Sequence, residues 1–150
     1  MKKINIFCIA LVIILTFSAC SLKKSPITAQ NFTNKAESLG YTINNVTSQY
    51  EGSTVNSLLA VEDDKNFQIE FHEVETQAQA SGAFSENKKD FDETGSGMTT
   101  SSSGSNWARY SKTAGGIYGI VSYIDNTFIY ARVPEEHKQA VIDFFKELGY

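Results

Sequence analysis

The chain has 150 residues, of which 41% are hydrophobic, with 17 acidic and 13 basic side chains. This length and composition fit one domain built around one hydrophobic core. The acidic excess, without any block of lysines and arginines, argues against a nucleic-acid partner, because phosphate contacts need clustered positive charge.

The first 20 residues differ in composition from the rest of the chain. Lys2 and Lys3 precede an apolar run from Ile6 to Leu15, and the tetrad Phe17-Ser18-Ala19-Cys20 follows it. A positive segment, an apolar segment and small residues before a cut are the parts of a secretory signal peptide. The tetrad resembles the lipobox that ends the signal peptides of bacterial lipoproteins, with Phe17 in place of the usual leucine.

The resemblance implies a defined fate for the N-terminus. A diacylglyceryl group would be attached to the Cys20 thiol, and the bond after Ala19 would be cut to remove the signal peptide, residues 1–19. Because two acyl chains give stable attachment, the implied location is the cell membrane, lipid-anchored and facing outside the cytoplasm, with the membrane as partner. Two alternatives stay open: an uncleaved span, which would need about 20 apolar residues, and cleavage without lipid.

Cysteine and histidine content limits the available chemistry. With Cys20 lipidated no thiol remains, since Cys8 lies inside the signal segment. No disulfide, cysteine metal site or cysteine nucleophile is then left. His72 and His137 lack the close spacing of a zinc-binding helix. We therefore predict no metal and no cofactor besides the covalent lipid on Cys20.

The chain after the cleavage point divides into a tether and one domain. Residues 20–27 are predicted to form a lipidated N-terminus and short tether, and residues 28–150 a single globular domain. The seven residues between Cys20 and Thr28 extend about 25 Å at most. The domain would therefore lie close to the bilayer.

Apolar periodicity predicts the first half of that domain. Thr28 can cap a helix that directs Phe32, Ala36 and Leu39 toward a core. Three strands follow, and the third, from Phe67 to Val74, alternates between apolar and polar residues as a half-buried antiparallel strand does.

The second half repeats this pattern with an insertion. Thr76 and Gln79 form a capping box for a helix that runs to about Phe91. The Gly-, Ser- and Thr-rich stretch 94–106 is predicted to be a loop, with room for one short edge strand. Three strands, the last two joined by a two-residue hairpin turn at Asp125-Asn126, and a last helix opened by Pro134 complete the chain.

These elements predict an α+β fold. We expect an antiparallel sheet of five to six strands with about three helices packed on one face, in the order α-β-β-β-α-(β)-β-β-β-α. The two β-β-β-α halves leave open an origin by duplication.

Aromatic residues of the late strands are the main candidates for a binding surface. Residues of a strand alternate between its two sides, so one covered face cannot hide all of them, and aromatics with arginine are typical of contact surfaces. Alternatively, a second layer covers them, or they pack as cross-strand pairs. The candidates are Trp107, Arg109, Tyr110, Tyr118, Tyr123 and Tyr130.

Catalytic candidates are few. Glu70 and His72 share the polar face of the third strand and could form an acid–base pair, but we expect His72 to be solvent-exposed. The acidic turns at Asp63-Asp64 and Asp90–Glu93 lack the regular spacing of a calcium loop.

The sequence therefore favours a membrane-anchored, extracytoplasmic lipoprotein with a small non-catalytic domain that binds a small ligand or another envelope protein. We predict that it is not an enzyme. The alternatives are a cell-envelope hydrolase using carboxylates and His72, and a structural or inhibitory partner of another envelope protein. A pocket that holds His72 would favour the hydrolase, and a solvated His72 would exclude it.

Overall fold

The computed structural model describes residues 23–50, 52, 54–62 and 67–150. Ala19 and Cys20, the predicted cleavage and lipidation positions, lie outside the described residues. The elements in chain order are α1 (Ala29–Ser38), β1 (Thr42–Asn45), a short 3₁₀ helix (Thr47–Gln49), β2 (Thr54–Glu62), β3 (Phe67–Val74), α2 (Gln77–Glu93), β4 (Met98–Ser103), β5 (Trp107–Ala114), β6 (Ile117–Ile124), β7 (Thr127–Pro134), a second 3₁₀ helix (Glu135–His137) and α3 (Lys138–Glu147).

The fold is α+β, as predicted, but the sheet has seven strands. Their order is β1-β2-β3-β7-β6-β5-β4, and all neighbours are antiparallel. The expected five to six strands is too few because the Ser- and Thr-rich stretch contributes a full strand, β4, which pairs with β5 from Met98↔Thr113 to Ser103↔Ala108. An edge strand needs no apolar face, and all six β4 residues are exposed.

The prediction that all helices pack on one face is wrong. Helices α1 and α3 cover one side of the sheet, here called the two-helix face, and α2 covers the other, the one-helix face. Both sides need cover because β6 is apolar on each: Ile120 faces one side and Val121 the other, and both are fully buried. Amphipathic alternation, which would leave one side to water, is absent from β6.

The main core lies on the two-helix face. Phe32 of α1 stacks on Phe71 of β3 with ring centroids 4.8 Å apart, and Phe144 of α3 meets Tyr41 at 4.9 Å. Leu39, predicted to face this core, is 44% exposed because α1 ends at Ser38 and Leu39 is already its C-cap.

The core on the one-helix face is smaller. It consists of Phe91, Tyr110 and Val121, with Phe84 and Tyr130 packed against them. Gly119 of β6 makes room for Phe91, because a Cβ at Gly119 would lie 2.5 Å from the ring. This glycine is needed for close approach and not for an unusual backbone angle.

Local signals placed most element ends correctly. The capping box of α2 is confirmed: the Gln79 backbone nitrogen donates to Thr76 Oγ1 over 3.3 Å, and the Thr76 nitrogen donates to Gln79 Oε1 over 2.9 Å. The two-residue β6–β7 turn is also confirmed, with Asp125 at φ 47°. Pro134, however, ends β7, and α3 begins only at Lys138.

The strand order is symmetric about the β3–β7 pair, but the helices are not. A two-fold axis perpendicular to the sheet would superpose β1-β2-β3 on β5-β6-β7 and would keep both following helices on one side. Helices α2 and α3 lie on opposite sides. No single rotation therefore relates the two halves.

The described part of the predicted tether lies against the domain. The Lys24 backbone nitrogen donates to Asn106 Oδ1 over 3.1 Å, and Asn106 Nδ2 donates back to the Lys24 carbonyl over 2.7 Å. Lys24 Nζ reaches the Gly149 carbonyl at 2.8 Å and lies 4.4 Å from the Trp107 ring.

The helices within the described ranges include none with the length and hydropathy of a membrane span.

Candidate functional site

Strand alternation divides the six residues predicted as a binding surface. Trp107, Arg109 and Tyr118 lie on the two-helix face, whereas Tyr110, Tyr123 and Tyr130 lie on the one-helix face. The six residues do not form one surface.

Most of these rings pack inside the molecule. Tyr110 and Tyr118 are buried, and the Tyr110 hydroxyl donates to the Asp92 carboxylate at the end of α2. Burial and this hydrogen bond raise the pKa of Tyr110 to about 12. Tyr123 meets Phe84 of α2 edge to face at 5.4 Å. These contacts match the alternative of a second covering layer.

A groove of about 690 Å³ runs along the one-helix face, between α2 and strands β3 and β7. We call it the acidic groove. It combines ring-bearing side chains with carboxylates: Tyr50, Glu70, His72, Glu86, Phe128 and Tyr130. Of the predicted surface residues, Tyr130 lines this groove.

His72 is buried at the base of the groove, and the expectation of a solvated side chain is wrong. The residue is 4% exposed. Phe128, its register partner on β7, stacks on the imidazole at 4.5 Å with an interplanar angle of 11°, and Tyr50 meets the ring edge-on at 5.2 Å. The polar face of β3 is covered because β7 adds an aromatic neighbour and α2 lies over the sheet.

Two hydrogen bonds fix the imidazole. The Ser57 hydroxyl lies 2.7 Å from His72 Nδ1, and Glu70 Oε2 lies 3.4 Å from His72 Nε2. An ionised carboxylate can only accept, and in the tautomer of the imidazole that carries its proton on Nε2, Nδ1 accepts from the Ser57 hydroxyl. The chain Ser57–His72–Glu70 orients the Glu70 carboxylate at the groove.

The hydrogen-bond chain Ser57–His72–Glu70 contains the residue types of a hydrolytic triad. Its serine and histidine, however, are not accessible to a substrate. Ser57 is fully buried, and its backbone nitrogen is held by Thr47 Oγ1 at 2.8 Å. A nucleophile must reach the substrate, and a general base needs a ring nitrogen facing it. In this conformation both nitrogens of His72 already have protein partners.

The groove has a negative lining. Glu70, 24% exposed at its side chain, and the exposed Glu86 face it, and no lysine or arginine lines it among the residues described. Burial raises the pKa of Tyr130, with Glu70 adding to the effect and Arg132 opposing it. Burial and Glu70 also raise the pKa of Tyr50. Both phenols therefore remain protonated hydrogen-bond donors at neutral pH.

Sequence patterns did not single out several groove residues. Tyr50 follows a short 3₁₀ helix with no periodicity of its own, and Glu86 sits on the solvent side of an ordinary helix pattern. Asn87, whose Nδ2 donates to the Ala83 carbonyl at 2.8 Å, likewise gives no local signal. The packing of α2 over β3 and β7 brings Glu86 and Asn87 to the groove, and the segment before β2 places Tyr50 against His72.

In the described part of the chain, no three His, Cys, Asp or Glu side chains converge in a way that could hold a metal ion.

Fold and groove together define a small α+β domain with an acidic, aromatic-lined groove. No protein-family model matches the chain, and searches of curated proteins and of solved structures give no significant match. Its function is therefore inferred from the groove and from the N-terminal sequence.

Proposed function

We propose that this protein is an extracytoplasmic lipoprotein, anchored through Cys20, whose domain binds a small organic cation in the acidic groove without transforming it. The single observation behind the proposal is the lining of the groove. Aromatic faces attract cations through their quadrupole, and carboxylates form charge-assisted hydrogen bonds with ammonium groups. The lining offers both kinds of group.

Glu70 is the centre of the proposed site. It is the register partner of Tyr130 on β7, and it contacts His72 on its own strand. Phe91 stacks on Tyr130 at 5.6 Å and holds that ring in place. An ammonium group beside Glu70 would meet the carboxylate and the phenol ring together. The volume of about 690 Å³ is within the range of small-molecule sites.

The geometry favours binding over catalysis. Ser57 cannot reach a ligand in the groove, and His72 is engaged at both nitrogens. His72 then acts as a positioning residue for Glu70. An envelope hydrolase is the second candidate function, because the groove does hold His72 in line with a serine and a carboxylate; it would require Ser57 to become exposed.

The docked tether supports a definite orientation at the membrane. Lys24 is four positions after Cys20, a span of about 14 Å at most, and Asn106 holds it. Asn106 lies beside the β6–β7 turn. Asn126 of the same turn is hydrogen-bonded to Val74, which lies at the end of the groove. The anchored domain would therefore present this end of the groove toward the bilayer.

Titration calorimetry with choline and with its neutral carbon isostere tests the cation site on the full chain. Choline should bind and the isostere should bind at least about tenfold more weakly, because charge and not shape is recognised. Glu70→Gln should weaken choline binding by a similar factor. Glu93→Gln is the matched control, because it makes the same substitution at an exposed residue at the far end of α2.

Equal affinity for choline and the isostere, or an equal loss in Glu93→Gln, would exclude a cation site at Glu70. If the parent protein turns over cell-wall fragments and both Ser57→Ala and His72→Gln abolish that turnover, the proposed function becomes hydrolysis and not ligand binding.

The anchor has a separate test. Cys20→Ala should release the protein from the membrane fraction or block its maturation. Membrane retention with an unmodified, uncleaved N-terminus would instead support a spanning segment.

A further inference from the structure

A second cleft lies on the two-helix face, between the start of α3 and strands β4 and β5. Its volume is about 310 Å³. We call it the basic pocket. Besides Tyr118, its polar lining consists of two cations and four aliphatic hydroxyl groups: Thr100, Ser102, Arg109, Ser111, Thr113 and Lys138.

Strand register explains why these side chains converge. Thr100 pairs with Ser111 and Ser102 pairs with Arg109, so alternate residues of β4 and β5 point to the same side. The next pair toward the sheet end, Met98 and Thr113, extends this wall. The hydroxyls form one wall of the pocket, and α3 supplies the opposite wall.

The two cations are held in place without being neutralised by a carboxylate side chain of the lining. Lys138 Nζ donates to Thr113 Oγ1 at 3.1 Å and lies 5.2 Å from the Tyr118 ring. Arg109 Nη1 donates to the backbone oxygen of Tyr150 at 3.2 Å, a contact that uses one of the five donors of a guanidinium. Neither aspartate nor glutamate occurs among the described residues that line the pocket.

The surroundings of Arg109 are also electropositive. Burial and the positive charge of Arg109 lower the pKa of Lys24, which lies beside Trp107 at the start of the same strand. This cluster of positive charges contrasts with the chain as a whole, which has more acidic than basic side chains.

We propose that the basic pocket binds a phosphate group. The donors come from two strands and a helix that line one pocket, an arrangement that suits a tetrahedral oxyanion better than a planar carboxylate. Arginine supplies a donor fork, lysine a point charge and the hydroxyls neutral donors. This site shares no residue with the acidic groove and does not depend on it.

The phosphate group has two chemical sources: inorganic phosphate, or a phosphate ester carried by a larger molecule. Both present the same oxygens to Arg109 and Lys138. Inorganic phosphate, glycerol phosphate and dimethyl phosphate as three separate probes distinguish a free ion, a monoester and a diester.

The experiment follows amide chemical shifts of the full chain at constant ionic strength. Each probe is titrated against acetate as the planar anion. We expect saturable shifts in β4, β5 and the start of α3 with at least one phosphate probe, and binding at least about tenfold weaker with acetate. The probe that binds most tightly identifies the source.

Variants decide whether the proposed side chains are responsible. Arg109→Gln and Lys138→Gln should each weaken phosphate binding by about tenfold or more. Arg132→Gln is the matched control, because it removes an exposed arginine from the one-helix face. Thr100→Val changes an exposed edge-strand hydroxyl, should leave the fold intact and should weaken binding by a few-fold, so a failure of Arg109→Gln to fold does not prevent the test.

Three results would overturn the proposal: no saturable shift at the pocket with any phosphate probe, acetate binding as tight as phosphate, or an Arg132→Gln loss equal to that of the pocket variants.

Discussion

The two faces of the sheet differ in how they are covered, and the acidic groove lies on one face whereas the basic pocket lies on the other. On the two-helix face, α1 and α3 enclose a large core in which Phe32, Phe71 and Phe145 are fully buried. On the one-helix face, α2 buries only Ala80 and Phe91 among its 17 residues. One face is built mainly for stability, and the other keeps open space beside its helix.

That difference explains where the groove forms. Because α2 touches the sheet mainly through Phe91 and its neighbours, a groove remains between the helix and the strands that carry His72 and Tyr130. Glu70 and Glu86 face that space, whereas Arg109 and Lys138 face the pocket on the opposite side. One sheet thus presents clefts of opposite charge on its two faces.

The largest expected effect comes from truncating the main core. Phe144→Ala removes the ring that contacts both Tyr41 and Phe32 and should lower the free energy of unfolding by about 3–5 kcal/mol. Urea denaturation measures it. Phe84→Ala, on a partly buried ring of α2, should cost about 1–2 kcal/mol, since large-to-small losses follow burial. Equal losses would contradict the unequal roles of the two faces.

A smaller effect should come from disturbing the packing of α2 on the sheet. Gly119→Ala would push its Cβ against Phe91 and should cost about 1–3 kcal/mol by overpacking. Choline affinity should also fall, because Phe91 supports Tyr130. Gly82→Ala meets nothing within 4 Å and should be neutral or stabilise by up to about 1 kcal/mol. Denaturation and calorimetry on both variants measure this, and an unaffected Gly119→Ala protein would show that α2 is not held by this contact.

The smallest effect concerns pH at the end of α2. Hydrogen bonds from Lys88 and Tyr110 hold the pKa of Asp92 below its ordinary value. The stability that this carboxylate contributes is therefore present above the ordinary carboxyl pKa, about 4, and is lost as the pH falls through the lower folded-state value. Asp92→Asn should be less stable than the parent at neutral pH, and the gap should narrow as the pH falls below the ordinary carboxyl pKa. Thermal unfolding across that range measures it, and a gap independent of pH would contradict the assignment.

Features governed by neighbouring residues could be predicted. The Thr76–Gln79 box, the alternation of β3 and the Asp125-Asn126 turn each follow from interactions within a few positions of the chain. Strand β4 was harder, because a polar serine and threonine run has no apolar period. It is held as a strand by its ladder with β5.

Features governed by distant residues could not be predicted. The burial of His72 depends on Phe128, 56 positions later in the sequence. The division of the six candidate surface residues follows from which side of β5 and β6 each occupies, and nothing local says which side α2 will cover. Periodicity reports that a strand has two sides, not what packs on them.

The sequence by itself determined the α+β class, the N-caps of α1 and α2, the hairpin turn and the alternation of β3, because backbone and side-chain chemistry acts over a few residues. Only the tertiary structure decided that α2 would cross to the opposite face, that His72 would be buried, and that the two charged clefts would exist. The physical reason is that these features join residues far apart in the chain, Glu70 with Glu86 and Arg109 with Lys138. Such pairs meet only when sheet register and helix packing are set together.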